Sequence, residues 1–471
     1  MKICVLNGSP KGMESVTMQY VRFLELANPG HTFTTENIGQ RIAAIEANEE
    51  EYKKVIASID AADAILFATP VYFMLVPAQL KRFIELLFSH NARPSFFNKF
   101  AASITTSIHF FDHTANEYLH AIAEDLGMHW AGSFMAGMND LLGEDCQEQL
   151  LRFGEEFFWL AEKKPQLQRT YPPLRPVNRE YQSAGIPMPL DCGDKKIVIL
   201  TDAGPGTNLE RMTGRLASLF GRSASIVPLD DLKMKGGCLG CCACAFDNTC
   251  VYTDGFCEEW ETSVLSADII ILAGTVKDRY FSAEFKQVFD RSFYRGHVPV
   301  MTGKTVGILA QGPYSWCSTL REVLHAEIAL QGAALAGTVT DEEEISFATD
   351  GRIDALALRC LHLAKSGCVP PAGFPVIAGM KIFRDAIWSE MRPFFRADHA
   401  YYRAHGLYDF PQNDYSRRIK TTLFGILLAI PQVRTQVRKD MKQNIVRPLQ
   451  EALKTSRVLR RHADQTRAGR E

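Results

Sequence analysis

The feature that most constrains the fold is a rhythm of short apolar runs and amphipathic stretches that occurs twice along the chain. In residues 2–162 the runs KICVLNG, HTFTTENI, AILFATP, FAASITTS and HWAGSFMAG read as strands, rich in β-branched and aromatic residues. Between them Val16–Ala27, Tyr52–Asp60, Ala78–Leu87, Ala115–Leu126 and Gln147–Ala161 carry helical spacing. Alternation of this length predicts a parallel sheet covered by helices on both faces.

The pattern then restarts, with KKIVILTDAG, ASIVPLDDL, DIIILAGTV, KTVGILAQG and ALAGTVTDE as a second set of five strands. PAQLKRFIELL (Pro77–Leu87) aligns with SAEFKQVFDRSF (Ser282–Phe293), which makes this a true internal repeat. The offset is 194 at the first strand (Lys2 to Lys196) and 205 at this helix (Pro77 to Ser282), so the second copy carries eleven extra residues. The stretch GGCLGCCACAFDNTC (236–250), with five of the chain's twelve cysteines, lies in that interval.

Residues 163–194 hold six prolines and no periodicity, as expected of a surface linker. Beyond Gly367 an apolar helical stripe (Val376, Met380, Phe383, Ile387, Met391) leads into aromatic-rich FFRADHAYYRAHGLYDF and then basic helices. The domain plan is therefore 1–162, a linker 163–194, 195–367 with the cysteine loop, and a helical, basic C-terminal extension 368–471.

With 46% hydrophobic and 23% charged residues, the chain has the balance of a soluble globular protein. The start MKICVLNGSP shows no signal-peptide pattern, and no apolar run approaches the ~18 residues of a membrane span. A cytoplasmic location is expected, where clustered thiols bind metals or do chemistry rather than form disulfides. From Ser416 to Glu471 there are 14 Lys/Arg and 4 Asp/Glu, a net of +10 against −2 for the whole chain. This basic segment reads as a solvated helical face or as a dock for an acidic redox partner or anionic lipid. TTLFGILLAI (421–430) is too short to span a bilayer and either packs or lies on a surface. No motif supports nucleic-acid binding.

The first strand ends in Asn7-Gly8-Ser9-Pro10-Lys11-Gly12-Met13-Glu14-Ser15-Val16-Thr17, where backbone amides and hydroxyls would face an anion at a helix N-terminus. It is neither a Walker loop nor a GxGxxG fingerprint, which argues against nucleoside triphosphates and classical dinucleotide binding. An ordinary βα turn capped by Ser9 or Ser15 is the plain alternative. The third strand places Pro70-Val71-Tyr72-Phe73 at its carboxyl end, where open α/β sheets bind ligands. An apolar, aromatic loop beside a phosphate cradle suits a flat ring bearing one phosphate. Thr105-Thr106-Ser107 end the fourth strand on the same edge.

NGSPKxxxSxT followed by TPVYFxxVPAQLKRFIE resembles the flavodoxin-like NAD(P)H-dependent FMN reductases, over roughly residues 1–160 and more weakly 195–366. The resemblance implies an α/β chain of two tandem flavodoxin-like doubly wound parallel sheets, order 2-1-3-4-5, plus the C-terminal helical extension. It also implies FMN held at its phosphate by Ser9, Ser15 and Thr17, in the loop that carries Pro10 and Lys11. Pro70, Val71, Tyr72 and Phe73 would flank the ring, and Thr105, Thr106 and Ser107 would complete the pocket. NAD(P)H is the implied co-substrate, and a homo-oligomer is expected.

The cysteines run Cys238-x2-Cys241-x2-Cys244-x5-Cys250, with Cys242 and Cys257 left over. Four thiolates so spaced favour a [4Fe–4S] cluster over zinc or free thiols. The run resembles that of the iron–sulfur flavoproteins. The second copy departs from the flavin pattern: its first loop, TDAGPGTN, carries Asp202 where a phosphate would be repelled, and TVKDRYF replaces PVYF. The cluster is therefore expected to serve the flavin of the first copy.

Together these features point to an NAD(P)H-dependent flavin oxidoreductase passing electrons between FMN and the cluster to a one-electron or small-molecule acceptor. An electron carrier without NAD(P)H activity, or a non-enzymatic zinc- or cluster-stabilised interaction module, are the alternatives. No catalytic acid or base is evident. Cys4, Cys146, Cys360 and Cys368 fall in apolar patterns as buried structural thiols. Cys317 lies on the functional edge of the second copy as a minor candidate. Asp398, His399 and His405 among Tyr401, Tyr402 and Tyr408 match no ligand spacing and read as aromatic packing with solvated histidines.

Overall fold

In the computed structural model, which describes residues 1–343, 345–408 and 415–468, the chain forms two compact units. The first comprises Met1–Pro173, Cys238–Cys241 and Gln432–Glu471; the second comprises Leu174–Gly237 and Cys242–Pro431. The last three residues of the basic segment, and Asp409 and Phe410 of the aromatic run, lie outside the described residues.

The first unit runs β1 (Lys2–Asn7), α1 (Val16–Ala27), β2 (Thr32–Glu36), α2 (Ile38–Ala47), α3 (Glu49–Asp60) and β3 (Ala64–Pro70). It continues α4 (Ala78–Ser89), α5 (Arg93–Phe96), β4 (Phe100–Ser107), α6 (Asp112–Asp125), β5 (His129–Gly137) and α7 (Glu144–Lys163). Its sheet is parallel in the order β2-β1-β3-β4-β5. β1 and β3 are buried almost end to end because helices cover both faces, whereas edge strand β2 (TFTTE) is polar and half-exposed. The sequence predicts one helix between β2 and β3, but there are two. IGQRIAAIEA buries only Ile38, Gly39 and Ile45, too few positions to register as a period.

The second unit runs β6 (Ile197–Thr201), α8 (Asn208–Phe220), β7 (Ala224–Pro228), α9 (Phe256–Glu259), β8 (Ile269–Lys277), β9 (Tyr280–Phe281) and α10 (Ala283–Ser292). After these come β10 (Thr305–Gln311), α11 (Ser318–Leu330), β11 (Ala334–Thr340) and α12 (Ser346–Ser366). Its parallel order β11-β10-β8-β6-β7 is the first unit's order read from the other edge, with β9 paired antiparallel to β8. α13 (Phe374–Trp388), α14 (Arg396–Ala404) and α15 (Tyr415–Leu427) follow. Part of the proline-rich stretch joins this core: Tyr181 is buried and its hydroxyl bonds Asp350. Cys4 and Cys360 are buried, but Cys368 is exposed, because Gly367 ends α12 in a left-handed cap just before it.

Local details recur 205 positions apart. Phe73 and Met74 (φ 46° and 62°) turn the chain between Tyr72 and Leu75, as Asp278 and Arg279 (φ 47° and 65°) do between Lys277 and Tyr280. A buried Lys81–Glu85 pair in α4 matches a buried Lys286–Asp290 pair in α10. Gly132 (φ 141°) and Gly337 (φ 152°) stand at the same bulge on the last strand of each sheet.

The tail helices α16 (Pro431–Thr455) and α17 (Arg457–Ala468) contribute to the first unit's core. Leu449, Leu453 and Val458 join the cluster that holds Leu24, Phe157 and Phe158, and Ser456 donates to Gln147. The basic tail is thus anchored by an apolar face rather than wholly solvated. Leu449→Ala is expected to cost about 2–5 kcal/mol in urea unfolding. Arg447→Ala, at an exposed site, should stay within about 0.5 kcal/mol. Equal effects would mean that α16 does not belong to this core.

Candidate functional site

In the first sheet the strand order reverses between β1 and β3, and the loops that follow them meet at its carboxyl edge. The β1–α1 loop is fixed first through Asn7, whose Oδ1 accepts from Ser9 N at 3.0 Å and whose Nδ2 donates to Asn37 at 2.9 Å. Gly8 has no room for a side chain: a Cβ would stand 2.6 Å from Leu80 and 2.7 Å from Thr69. Gly12 takes φ +60°, which a glycine adopts without strain.

Ser9 and Ser15 are buried, and each hydroxyl accepts one bond, from Lys11 N at 3.2 Å and Met18 N at 3.3 Å. Each O–H is left to donate. Ser15 is the N-cap of α1, and the first-turn amides ahead of Met18 have no intrahelical acceptor. Two hydroxyls with an O–H left to donate therefore stand on the loop that leads into the N-terminus of α1, and these residues fit an FMN phosphate.

Thr17 is placed differently from Ser9 and Ser15. It is fully buried, and its hydroxyl shares a 2.6 Å bond with Thr106. Thr105 accepts from Asn116 at 2.9 Å, inside the layer between β4 and α6. Of Thr105, Thr106 and Ser107, only Ser107 stands at the half-open strand tip, where its hydroxyl accepts from His109 N at 2.8 Å.

On the β3–α4 loop, Val71 N donates to Thr106 O at 3.0 Å, tying Pro70 and Val71 to the end of β4. Tyr72 and Leu75 exchange backbone bonds of 2.8 and 3.0 Å around Phe73 and Met74. Two successive non-glycine residues with positive φ mark a strained turn, held here by Thr114, whose hydroxyl donates to Met74 O.

His109 belongs to this edge, although only its position after β4 signals it in the sequence. Its ring lies 2.9 Å from Asp112 Oδ2 and 3.5 Å from Asp140 Oδ2, and Asp140 also accepts from Gly137 N at 2.7 Å. Gln79 is the other addition. Its amide donates to Cys238 O at 3.0 Å, and Gly240 lies so close to Tyr72 that a Cβ would fall 1.7 Å from the phenol oxygen. Within the first unit, the segment Cys238–Cys241 therefore packs on the loop expected to flank the flavin ring.

The second unit's corresponding loop is already filled by the chain. Glu210 accepts from Gly206 N at 2.6 Å, Gln311 accepts from Leu209 N at 2.8 Å, and Thr207 accepts from Glu210 N at 3.2 Å. Asp202 is turned inward, bonded to Thr275 N at 2.9 Å, and burial raises its carboxyl above the usual range. Cys317 is buried against Pro313 O.

The remaining cysteines of the run belong to the second unit. Among the described residues no group of three or more His, Cys, Asp or Glu side chains is arranged to hold a metal ion. Cys250 pairs with Cys257: the Cys257 hydrogen bond, aided by Tyr252 N and Arg291, brings the Cys250 thiol down to about 6, while Cys257 is pushed up.

Residues 1–139 match the family described as NADPH-dependent FMN reductase, which bears out the resemblance carried by the two loop motifs and marks this segment as a reductase-like enzyme domain. No curated protein matches the chain. Among solved structures, the flavoenzyme NAD(P)H:(acceptor) oxidoreductase FerB from Paracoccus denitrificans is 21% identical, with 34% of this chain and 97% of that one covered at a TM-score of 0.29. General stress protein 14 of Treponema denticola, in complex with FMN, is 10% identical, with 34% and 98% covered at a TM-score of 0.25.

Proposed function

We propose that this chain, whose residues 1–139 match the NADPH-dependent FMN reductase family, is an NAD(P)H-dependent flavin oxidoreductase holding FMN on the loops after β1 and β3. The observation that carries the reading is the pair of buried hydroxyls, Ser9 and Ser15, with O–H groups left to donate at the N-terminus of α1. There they would bind the phosphate, with Lys11 adding positive charge beside them. Pro70, Val71, Tyr72 and Phe73 would wall the ring, and the Phe73–Met74 turn fixes where Tyr72 stands. Bound FMN supplies hydride acceptance from a reduced nicotinamide and onward electron transfer. The chain's part is to orient the ring and exclude water, and no side chain has to move a proton.

The finer reading adds a [4Fe–4S] cluster on Cys238, Cys241, Cys244 and Cys250, supported by their spacing. Metal binding couples to loop folding, so the ligands would gather on the cluster itself. The contact of Cys238–Cys241 with Gln79 and Tyr72 supports its placement beside the flavin loops.

Anaerobic purification with flavin, iron, sulfide and zinc analysis on one sample tests both levels, followed by titration with NADPH and NADH. Bound FMN that either nucleotide bleaches is the expected result. Flavin that neither nucleotide bleaches would leave an electron carrier, and a colourless preparation would overturn the reading in favour of an interaction module. Zinc in place of iron and sulfide would remove the cluster alone.

A further inference from the structure

A cavity of about 300 Å³ opens in the helical layer of the second unit that follows α12, at the small end of the range for ligand sites. Arg392, Arg403 and Arg418 line it together with His399, Trp388 and Tyr408, and among the described residues no carboxylate does. Arg418 lies 3.3 Å over the Trp388 ring and donates to Trp388 O at 2.6 Å, while Arg392 donates to Thr422 at 3.1 Å. Among the described residues none of these three arginines has an acidic partner. Asp398, beside His399 in sequence, turns to His297 instead, at 3.2 Å. Among the described residues, three guanidinium groups thus surround one cavity without a carboxylate partner. Burial and the three arginines push His399 down to about 4, and burial with Arg392 and Arg403 brings Arg418 down to about 10.

Arg418 sits on α15, and the same helix carries an apolar row facing solvent. Ile419, Leu423, Ile426, Leu427 and Ile430 are between 47% and 63% exposed, and α15 buries no residue of its own. At about 100° per residue the four of these within the helix cover one face, with Arg418 and Lys420 on its opposite flanks. An apolar face edged by cations is the arrangement of a helix lying in a membrane interface. Thirteen residues are too few to cross a bilayer, and among the described residues no helix is long and apolar enough to do so.

We propose that this helical layer docks on an anionic phospholipid surface, with α15 lying at the acyl boundary and the arginine cavity seating a lipid phosphate. The charge favours this occupant over a second copy of the chain, which would bring two arginine clusters together. The proposal is independent of the flavin reading.

Sedimentation of the full chain with phosphatidylcholine vesicles, with and without phosphatidylglycerol, tests it. Binding is expected only with phosphatidylglycerol and should weaken with salt. Arg392→Gln with Arg403→Gln should weaken it roughly fivefold per arginine, and Leu423→Asp with Ile426→Asp should abolish it. These side chains are exposed or cavity-lining, and flavin content and thermal unfolding verify that each variant is folded. Leu423→Ser with Ile426→Ser replaces the aspartates if they unfold the helix. No binding, or equal binding to both vesicles, overturns the proposal. So does a loss of self-association in the α15 variants with vesicle binding intact, which would assign the row to a second copy. Arginine-dependent stabilisation by inorganic phosphate without vesicle binding would assign the cavity to a soluble phosphate ester and equally overturn it.

Discussion

Replacing Ser9 and Ser15 together by alanine is expected to weaken FMN binding by roughly 10²–10⁴-fold and to yield protein purified without flavin. Each hydroxyl is buried, already accepts a backbone N–H, and has one donor left for an acceptor outside the chain. A hydrogen bond to a charged phosphate contributes about 1.5–3 kcal/mol, and two are removed. Ser15→Ala also removes the α1 cap, at about 1 kcal/mol of stability, so thermal unfolding is read beside flavin titration. Thr17→Val separates the two effects. Its hydroxyl is committed to Thr106, so the expected result is a stability loss of about 1 kcal/mol with flavin affinity nearly unchanged. Unchanged flavin content in a Ser9, Ser15 and Thr17 triple variant would place the flavin elsewhere.

The sheets, their order and the tight turn after β1 are legible because each depends on local pattern. Buried parallel strands read as continuous apolar runs, and the glycines and serines after β1 stand within a few residues of one another. What escaped depends on contacts between distant positions. Thr17 and Thr106 are 89 residues apart, and nothing in either motif announces that their hydroxyls meet. Asp202 reads as a charge that would repel a phosphate from the second loop, yet it faces inward, and Glu210, a helix residue four positions past Gly206, occupies the loop amide. The tail's charge concealed Leu449 and Leu453, because a few apolar residues in a basic helix matter only once a complementary core exists. Likewise His399 reads as solvated until α14 and α15 bring Arg403 and Arg418 around it.

Arg291→Leu should destabilise the second unit by about 3–5 kcal/mol and release the cysteine loop to protease. Arg291 lies in α10, almost wholly buried, with Nη1 and Nη2 reaching Asp254 at 2.8 and 2.9 Å and Nη1 also reaching Gly236 O at 3.0 Å. Its guanidinium stands 4.1 Å from the Tyr252 ring centre and 4.9 Å from that of Phe256. Both ends of the cysteine run are therefore tied to one side chain, and at the matching register the first copy, which lacks the run, has Leu86. Removing the guanidinium leaves Asp254 buried without its counter-ion, whereas Arg291→Lys keeps the charge but loses the fork and should fall between. Arg291→Leu with Asp254→Leu should cost less than the sum of the single changes, since the lone buried carboxylate is gone. The pH dependence has a definite sign. Arg291 holds the Asp254 carboxyl well below the usual carboxylate range, so the pair's contribution is fully present above about pH 4 and is lost only as pH falls toward the folded value. In a Cys250→Ser background, which removes the thiol that Arg291 also helps to lower, the Arg291→Leu penalty should therefore be flat from neutral pH to about pH 5 and shrink in stronger acid. A penalty that still changed across neutral pH in that background would assign the loop's anchoring to a group other than this carboxylate.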